Sequence, residues 1–107
     1  VTRVPWTGDA FASAVLDLVA AIPPGHVMTY GDVAAALGSR AARAVGTVMA
    51  RSGADVPWWR VVRASGQAAV DHEHLALDRF REEGTPLIPS RDGTGYRVDL
   101  RAARHVP

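Results

Sequence analysis

The residues best suited to chemistry are those of Pro57-Trp58-Trp59-Arg60-Val61-Val62, where two flat aromatic side chains stand beside a cation at the head of an apolar run. In an extended segment successive side chains leave on opposite faces, so both tryptophans cannot enter one small core. One of them is expected at a surface or a pocket. Each indole offers a large apolar face and one N–H donor, which suits stacking on a flat ligand as well as core packing. The chain has no cysteine. That excludes a disulfide framework, a thiolate metal site and every covalent mechanism that begins with sulfur. His72 and His74 have the spacing of a metal-binding pair but no third ligand in view, and no nucleophile stands beside them for hydrolysis. No catalytic residue, metal or cofactor is therefore assigned.

The second chemical feature is arginine. Twelve basic residues, all of them arginine, face eleven acidic ones, so the net charge of +1 says nothing by itself about a polyanionic partner. Their order along the chain says more. Between Asp32 and Asp71 lie Arg40, Arg43, Arg51, Arg60 and Arg63 with only Asp55 to oppose them, whereas acidic residues gather in Asp71–Glu83. Arginine makes forked phosphate contacts and stacks on flat groups. At 107 residues, 48% of them hydrophobic, the chain is expected to form a single domain over residues 1–107 with one core. No apolar run reaches membrane-spanning length and no secretory leader is evident, so a soluble, cytoplasmic protein without a membrane partner is expected.

The elements that must position these residues follow in order. A helix is predicted from Asp9, capped by Asp9 or Thr7, with Phe11, Val15, Leu18 and Ile22 on one face and Pro23-Pro24-Gly25 ending it. Trp6, ahead of it, could cover an edge of the core. After a brief extended link at His26–Met28, Thr29-Tyr30-Gly31-Asp32 has the layout of a capping box for a short helix, Tyr30–Leu37, stopped by Gly38. Ser39 then caps a second helix, Arg40–Arg51. Its angular positions put Arg40, Arg43, Thr47 and Arg51 on one side and Ala41, Val45, Val48 and Met49 on the other. Gly46, in mid-helix, costs about 1 kcal/mol relative to alanine and suggests close approach of another group. Two helices joined by a short Gly-containing turn form a helix-turn-helix candidate. Pro57–Arg63 is predicted as extended, Ala64-Ser65-Gly66 as a turn, Gln67–Val70 as a short return strand, and Leu75–Glu83 as a helix with Leu77 and Phe80 inward and Gly84 closing it. Leu87-Ile88 and Tyr96–Leu100 complete a C-terminal β-hairpin. The fold class is thus mainly α with small β elements, a winged-helix-like helix-turn-helix domain.

Val27-Met28-Thr29-Tyr30-Gly31-Asp32-Val33-Ala34, Arg40-Ala41-Ala42-Arg43-Ala44-Val45-Gly46 and Val56-Pro57-Trp58-Trp59-Arg60-Val61-Val62 together resemble the DNA-binding domain of the O6-alkylguanine-DNA alkyltransferase family, in order from about Asp9 to Gly84. In its active members the third motif reads Pro-Cys-His-Arg-Val, and the cysteine takes the alkyl group from the damaged guanine. Here Trp58 stands at the cysteine and Trp59 at the histidine. This departure resembles the alkyltransferase-like branch, non-enzymatic relatives that bind the lesion without repairing it. The resemblance implies that Arg43 is the finger that enters the base stack and that Tyr30 presses on the phosphate beside the target. It also implies a minor-groove approach, with Trp58 as floor or wall of the base pocket and Arg60 in a structural role. Glu83 matches the carboxylate that supports the histidine and, with Trp59 there, is expected to be only a helix-end or surface group. Ser52 lies near the position of the family's hinge asparagine, and the loop Val70–His74 replaces the family's pocket-covering loop.

The resulting expectation is a sensor that binds O6-alkylguanine in double-stranded DNA, flips it out and flags it for nucleotide excision repair proteins, acting as a monomer in the cytoplasm and on the nucleoid. DNA contacts are assigned to Tyr30, Arg40, Arg43, Thr47 and Arg51, and the lesion pocket to Tyr30, Trp58, Trp59, Asp71 and His72. The alternative is a winged-helix regulator that reads base sequence and is indifferent to alkylation.

Overall fold

Thr29 and Asp32 close the capping box that starts the helix pair. Thr29 Oγ1 accepts from the Asp32 N–H at 3.0 Å and Asp32 Oδ2 accepts from the Thr29 N–H at 3.1 Å. These reciprocal bonds satisfy two N–H groups that the first helical turn would otherwise strand. The structure, a computed structural model, describes residues 8–107. The expectations for Trp6 and Thr7 lie outside the described residues.

Helix α1 spans Gly8–Ala20, strand β1 Met28–Thr29, helix α2 Tyr30–Ala36 and helix α3 Ala42–Ser52. Asp9 falls within the first turn of α1 rather than capping it. Gly38, at φ 71°, supplies the left-handed residue that stops α2. Ser39 does not cap α3: its Oγ accepts from the Ala41 N–H, and the helix begins at Ala42 without a side-chain cap. Arg40 consequently sits in the turn, not on the helix, and Ala41 is exposed rather than core.

A 3-10 turn over Trp58–Arg60 leads into strand β2, Val61–Val62. Trp58 and Trp59 are therefore not in extended chain. The turn sends their side chains apart by about a third of a revolution instead of a half, and the two rings meet edge to face at 5.6 Å. Strand β2 pairs in parallel with β1, Met28 opposite Val61 and Thr29 opposite Val62. Because side chains alternate across a strand, Met28 and Val61 enter one core cluster with Val15, Val19, Ile22, Val33 and Val45. Val27 and Val62 enter a second, with Ala76, Phe80, Val98 and Ala103.

Helix α4 spans Glu73–Glu83 and ends on Gly84 at φ 69°. Strands β3 (Leu87–Pro89) and β4 (Tyr96–Val98) form the antiparallel hairpin. Gln67–Val70 is not a strand. It meets the end of β2 through Arg63, whose backbone N–H donates to Gln67 O at 2.8 Å and whose Nε donates to Ala68 O at 2.9 Å, before the chain turns away. Gly66, at φ 87°, runs so close to β4 that a Cβ there would lie 2.5 Å from Val98 O. Leu100 does not extend β4 but opens a last helical turn, α5 (Leu100–Ala103), because Asp99 caps it through the Arg101 N–H. The chain after it returns to Val27, whose N–H donates to Ala103 O at 3.0 Å and whose carbonyl accepts from the His105 N–H at 2.8 Å. Arg104 then pairs with Asp32 at 2.9 Å. No helix among the described residues is long and apolar enough to cross a membrane.

Candidate nucleic-acid interface

Helix α3 presents Arg43, Thr47 and Arg51 to solvent on one stripe, with Val45 buried and Val48 and Met49 half-buried behind them. Arg40 is exposed in the preceding turn. Arg51 in the last turn suits the helix dipole, whereas Arg43 in the first turn opposes it at a cost of about 0.3–1 kcal/mol. Among the described residues no carboxylate forms an ion pair with Arg43, and in sequence only Asp55, past the far end of the helix, lies between Asp32 and Asp71. A Cβ on Gly46 would meet nothing within 4 Å. Gly46 is thus not small because another helix packs on it. It leaves the surface thin where it borders a cavity.

That cavity, of about 590 Å³, opens between α2, α3, the Trp58 turn and the start of α4. Its volume is in the usual range of small-ligand pockets. Tyr30 and Trp58 line it together with Gly46, Met49, Arg63 and His72, and Val70 and Leu75, each 59% exposed, stand at its rim. Tyr30 is held by the capping box one residue before it. Burial raises its phenol above the ordinary value, partly offset by the nearby Arg63 charge, so the hydroxyl remains a donor at neutral pH. The Trp58 ring lies 5.6 Å from the His72 ring, tilted by 56°. Among the described residues Arg63 is the one permanently charged side chain of the lining. Its Nε donates to Ala68 O at 2.9 Å, and its Nη2 lies 3.7 Å from Glu73.

Two residues assigned to the pocket from sequence stand elsewhere. Asp71 is exposed, adopts φ 67° and donates its backbone N–H to Glu73 Oε1, so its carboxylate does not line the cavity. Trp59 turns behind Trp58, where its Nε1 donates to Glu83 Oε1 at 2.9 Å. Glu83 is accordingly not a surface carboxylate. It also accepts from Arg60 Nε at 3.1 Å and Nη2 at 2.5 Å and from the Gly25 N–H at 3.1 Å, while Arg60 Nη1 donates to Ile22 O at 2.9 Å. Burial alone would raise the Glu83 pKa, but the hydrogen bonds from Arg60, Gly25 and Trp59 and the Arg60 charge outweigh it and hold the carboxyl below its ordinary range.

Sequence reasoning missed Arg63 and Gly46 as cavity residues. The signal for Arg63 was its place in the basic zone, but its approach to Tyr30 depends on the β1–β2 pairing. His74 diverges from His72 and borders a separate polar groove of about 850 Å³ against the hairpin, with Glu73, Tyr96 and Asp92. That groove is larger, yet it contains none of Tyr30, Gly46 or Trp58. Asp92 there is engaged by Ser90 and Thr94, which lower its pKa to about 2. No cluster of three metal-ligating side chains occurs among the described residues.

Comparison with known proteins shows the family of the chain. Residues 10–83 match the family model described as 6-O-methylguanine DNA methyltransferase, DNA binding domain. A DNA base-flipping protein of Escherichia coli (strain K12) is 47% identical over 99 residues, covering 90% of this chain and 74% of that protein. Alkyltransferase-like protein 1 of Schizosaccharomyces pombe is 34% identical over 99 residues, covering 86% of this chain and 91% of that protein. The crystal structure of S. pombe Atl1 in complex with damaged DNA containing O6-carboxymethylguanine superposes with a TM-score of 0.80 at 32% identity, covering 99% of this chain and 100% of that one.

Proposed function

The chain belongs to the alkyltransferase-like branch of the 6-O-methylguanine DNA methyltransferase DNA-binding family, and on that premise we propose that it is a non-enzymatic sensor of O6-alkylguanine in duplex DNA. The observation that carries this reading is Trp58, whose indole lines the cavity; by the motif resemblance it stands where active alkyltransferases hold their nucleophile. An indole has no nucleophile for alkyl transfer, and its neighbour Trp59 offers an N–H donor but no base. The cavity can thus receive a base, while neither tryptophan supplies the nucleophile that alkyl transfer needs.

The arginine stripe of α3 meets the phosphate backbone from the minor groove, and Gly46 lets the helix lie close to the duplex. Arg43 enters the base stack. Tyr30, whose phenol stays protonated, donates to the phosphate beside the target and helps turn the nucleotide outward. Extrusion costs a few kcal/mol of stacking and pairing. A guanidinium in the gap and an aromatic face under the flipped base offset it, at about 1–3 kcal/mol per stacked base. The bound protein, a monomer acting in the cytoplasm on nucleoid DNA, then marks the site for nucleotide excision repair proteins.

The test is affinity for one short duplex carrying O6-methylguanine against the same duplex with guanine, at fixed salt, with mass spectrometry of the DNA afterwards. The sensor binds the lesion more tightly and leaves the methyl group in place. Equal affinity would favour a regulator that reads base sequence, and a vanished methyl group would contradict the absence of transfer chemistry.

A further inference from the structure

Trp59 does not line the cavity, yet its partly buried side chain is held by Glu83, Arg60, Arg79 and Trp58. Its indole N–H donates to Glu83 Oε1 at 2.9 Å. The guanidinium of Arg79 lies 5.0 Å from its ring centroid and that of Arg60 lies 5.4 Å away. Its ring and that of Trp58 stand edge to face, with centroids 5.6 Å apart and planes at 87°. Glu83 in turn is anchored by Arg60 and by the Gly25 N–H, and Arg60 by Ile22 O. A continuous series of contacts therefore runs from the ends of α1 and α4, through Glu83 and Trp59, to the ring that faces the cavity.

We propose that Trp59 is a positioning residue: by donating its N–H to Glu83 it sets the orientation of the Trp58 ring, and so governs selectivity for the altered base without touching it. This rests on the sensor reading of the cavity. An indole nitrogen only donates, so Trp59 and Glu83 form a strut and not a proton relay. Two neighbouring cations favour the electron-rich ring face, and the ionised carboxylate takes the N–H on the ring edge. Both fix the same rotamer. What the position requires is an N–H aimed at Glu83, which an imidazole can supply and a phenyl ring cannot.

The experiment compares wild type, Trp59→Phe and Trp59→His by the ratio of dissociation constants for the guanine and O6-methylguanine duplexes at fixed salt. Trp59→Phe is expected to lower the ratio about threefold to tenfold, the worth of one well-oriented aromatic contact, with affinity for the guanine duplex changed by less than about twofold. Trp59→His is expected to keep the ratio within about twofold of wild type. An unchanged ratio in Trp59→Phe, an equal loss in Trp59→His, or equal losses on both duplexes would overturn the inference. Wild type itself provides a second measurement should Trp59→Phe not fold. The Trp59 indole N–H resonance, assigned by its absence in Trp59→His, is expected to exchange slowly with solvent and to shift with the lesion duplex but not with the guanine duplex. Fast exchange, or the same response to both, overturns the proposal. A wild type that does not discriminate between the duplexes defeats the sensor reading itself, whereas a discriminating wild type with an unaffected Trp59→Phe defeats only the role of Trp59.

Discussion

Replacing Glu83 by alanine is expected to destabilise the protein far more than a residue at the end of a helix ordinarily would. The Glu83 and Arg60 side chains are 12% and 13% exposed, and the carboxylate accepts hydrogen bonds from Trp59, Arg60 and Gly25. Glu83→Ala strands a guanidinium, an indole N–H and a backbone N–H together. Breaking a buried ion pair from one side costs about 3–5 kcal/mol. Arg60 keeps its bond to Ile22 O and a little solvent, so the lower end, about 3 kcal/mol, is expected. For a domain of this size that lowers Tm by roughly 12–20 °C. The assay is urea unfolding of wild type and variant, followed by far-UV circular dichroism across pH. The sign of the pH dependence follows from a depressed carboxyl. The stability Glu83 contributes is complete above its ordinary value of 4.5 and is lost as pH falls through the lower folded value. The difference between wild type and variant should therefore shrink on acidification below about pH 4.5. Asp32 is also held below its ordinary range: burial raises it, but bonds from Arg104 and Thr29 prevail. It titrates in both proteins and cancels in the difference. A loss under about 1 kcal/mol at neutral pH, or one that persists unchanged into acid, would refute the picture of a buried hub.

Arg43→Ala should weaken binding to O6-methylguanine duplex by at least about 1–2 kcal/mol with the unfolding midpoint retained, measured by fluorescence titration; unchanged affinity would remove Arg43 from the finger role. Trp58→Ala should reduce discrimination between alkylated and normal guanine more than it reduces total binding, and equal losses on both duplexes would make Trp58 a core residue only. Trp58→Cys alone should transfer no alkyl group to the protein, because Trp59 cannot serve as a base; an alkylated cysteine found by mass spectrometry would contradict this. Gly46→Ala should raise stability by up to about 1 kcal/mol, since its Cβ meets no neighbour, while DNA affinity falls. A variant that is more stable and binds as well as wild type would show that the thin surface there serves no approach.

Local signals carried through well because they need no knowledge of the rest of the chain. Thr29 and Asp32 close a capping box, Gly38 and Gly84 stop helices, and Val45 is buried behind the arginine stripe, all within one or two turns of sequence. The errors arise where distant segments decide the conformation. Val61–Val62 is too short to show a period, and its pairing with Met28–Thr29 is set by the two cores it must feed. Without that pairing, Trp58–Arg60 looked extended instead of a tight turn, and Trp59 looked as available to the cavity as Trp58. Tyr96–Leu100 alternated like a strand, but Asp99 capped the next turn first. Glu83 lost its expected partner by substitution and was misjudged as a surface group, because the indole N–H, Arg60 and Gly25 that engage it come from two other segments.

The two core clusters also order events during synthesis. The one behind the arginine-bearing helix α3 is complete once Val61 has been made, whereas the other needs Phe80, Val98 and Ala103. Translation at about 5–20 residues per second separates these points by on the order of a few seconds. Through that interval the emerging chain can already assemble the half that carries the arginine stripe. Arg63 and His72, which complete the cavity, belong to the part that closes last, with Val27 waiting throughout for the hydrogen bonds of Ala103 and His105. On the sensor reading proposed above, lesion selectivity would then be acquired last, after the arginine stripe is in place.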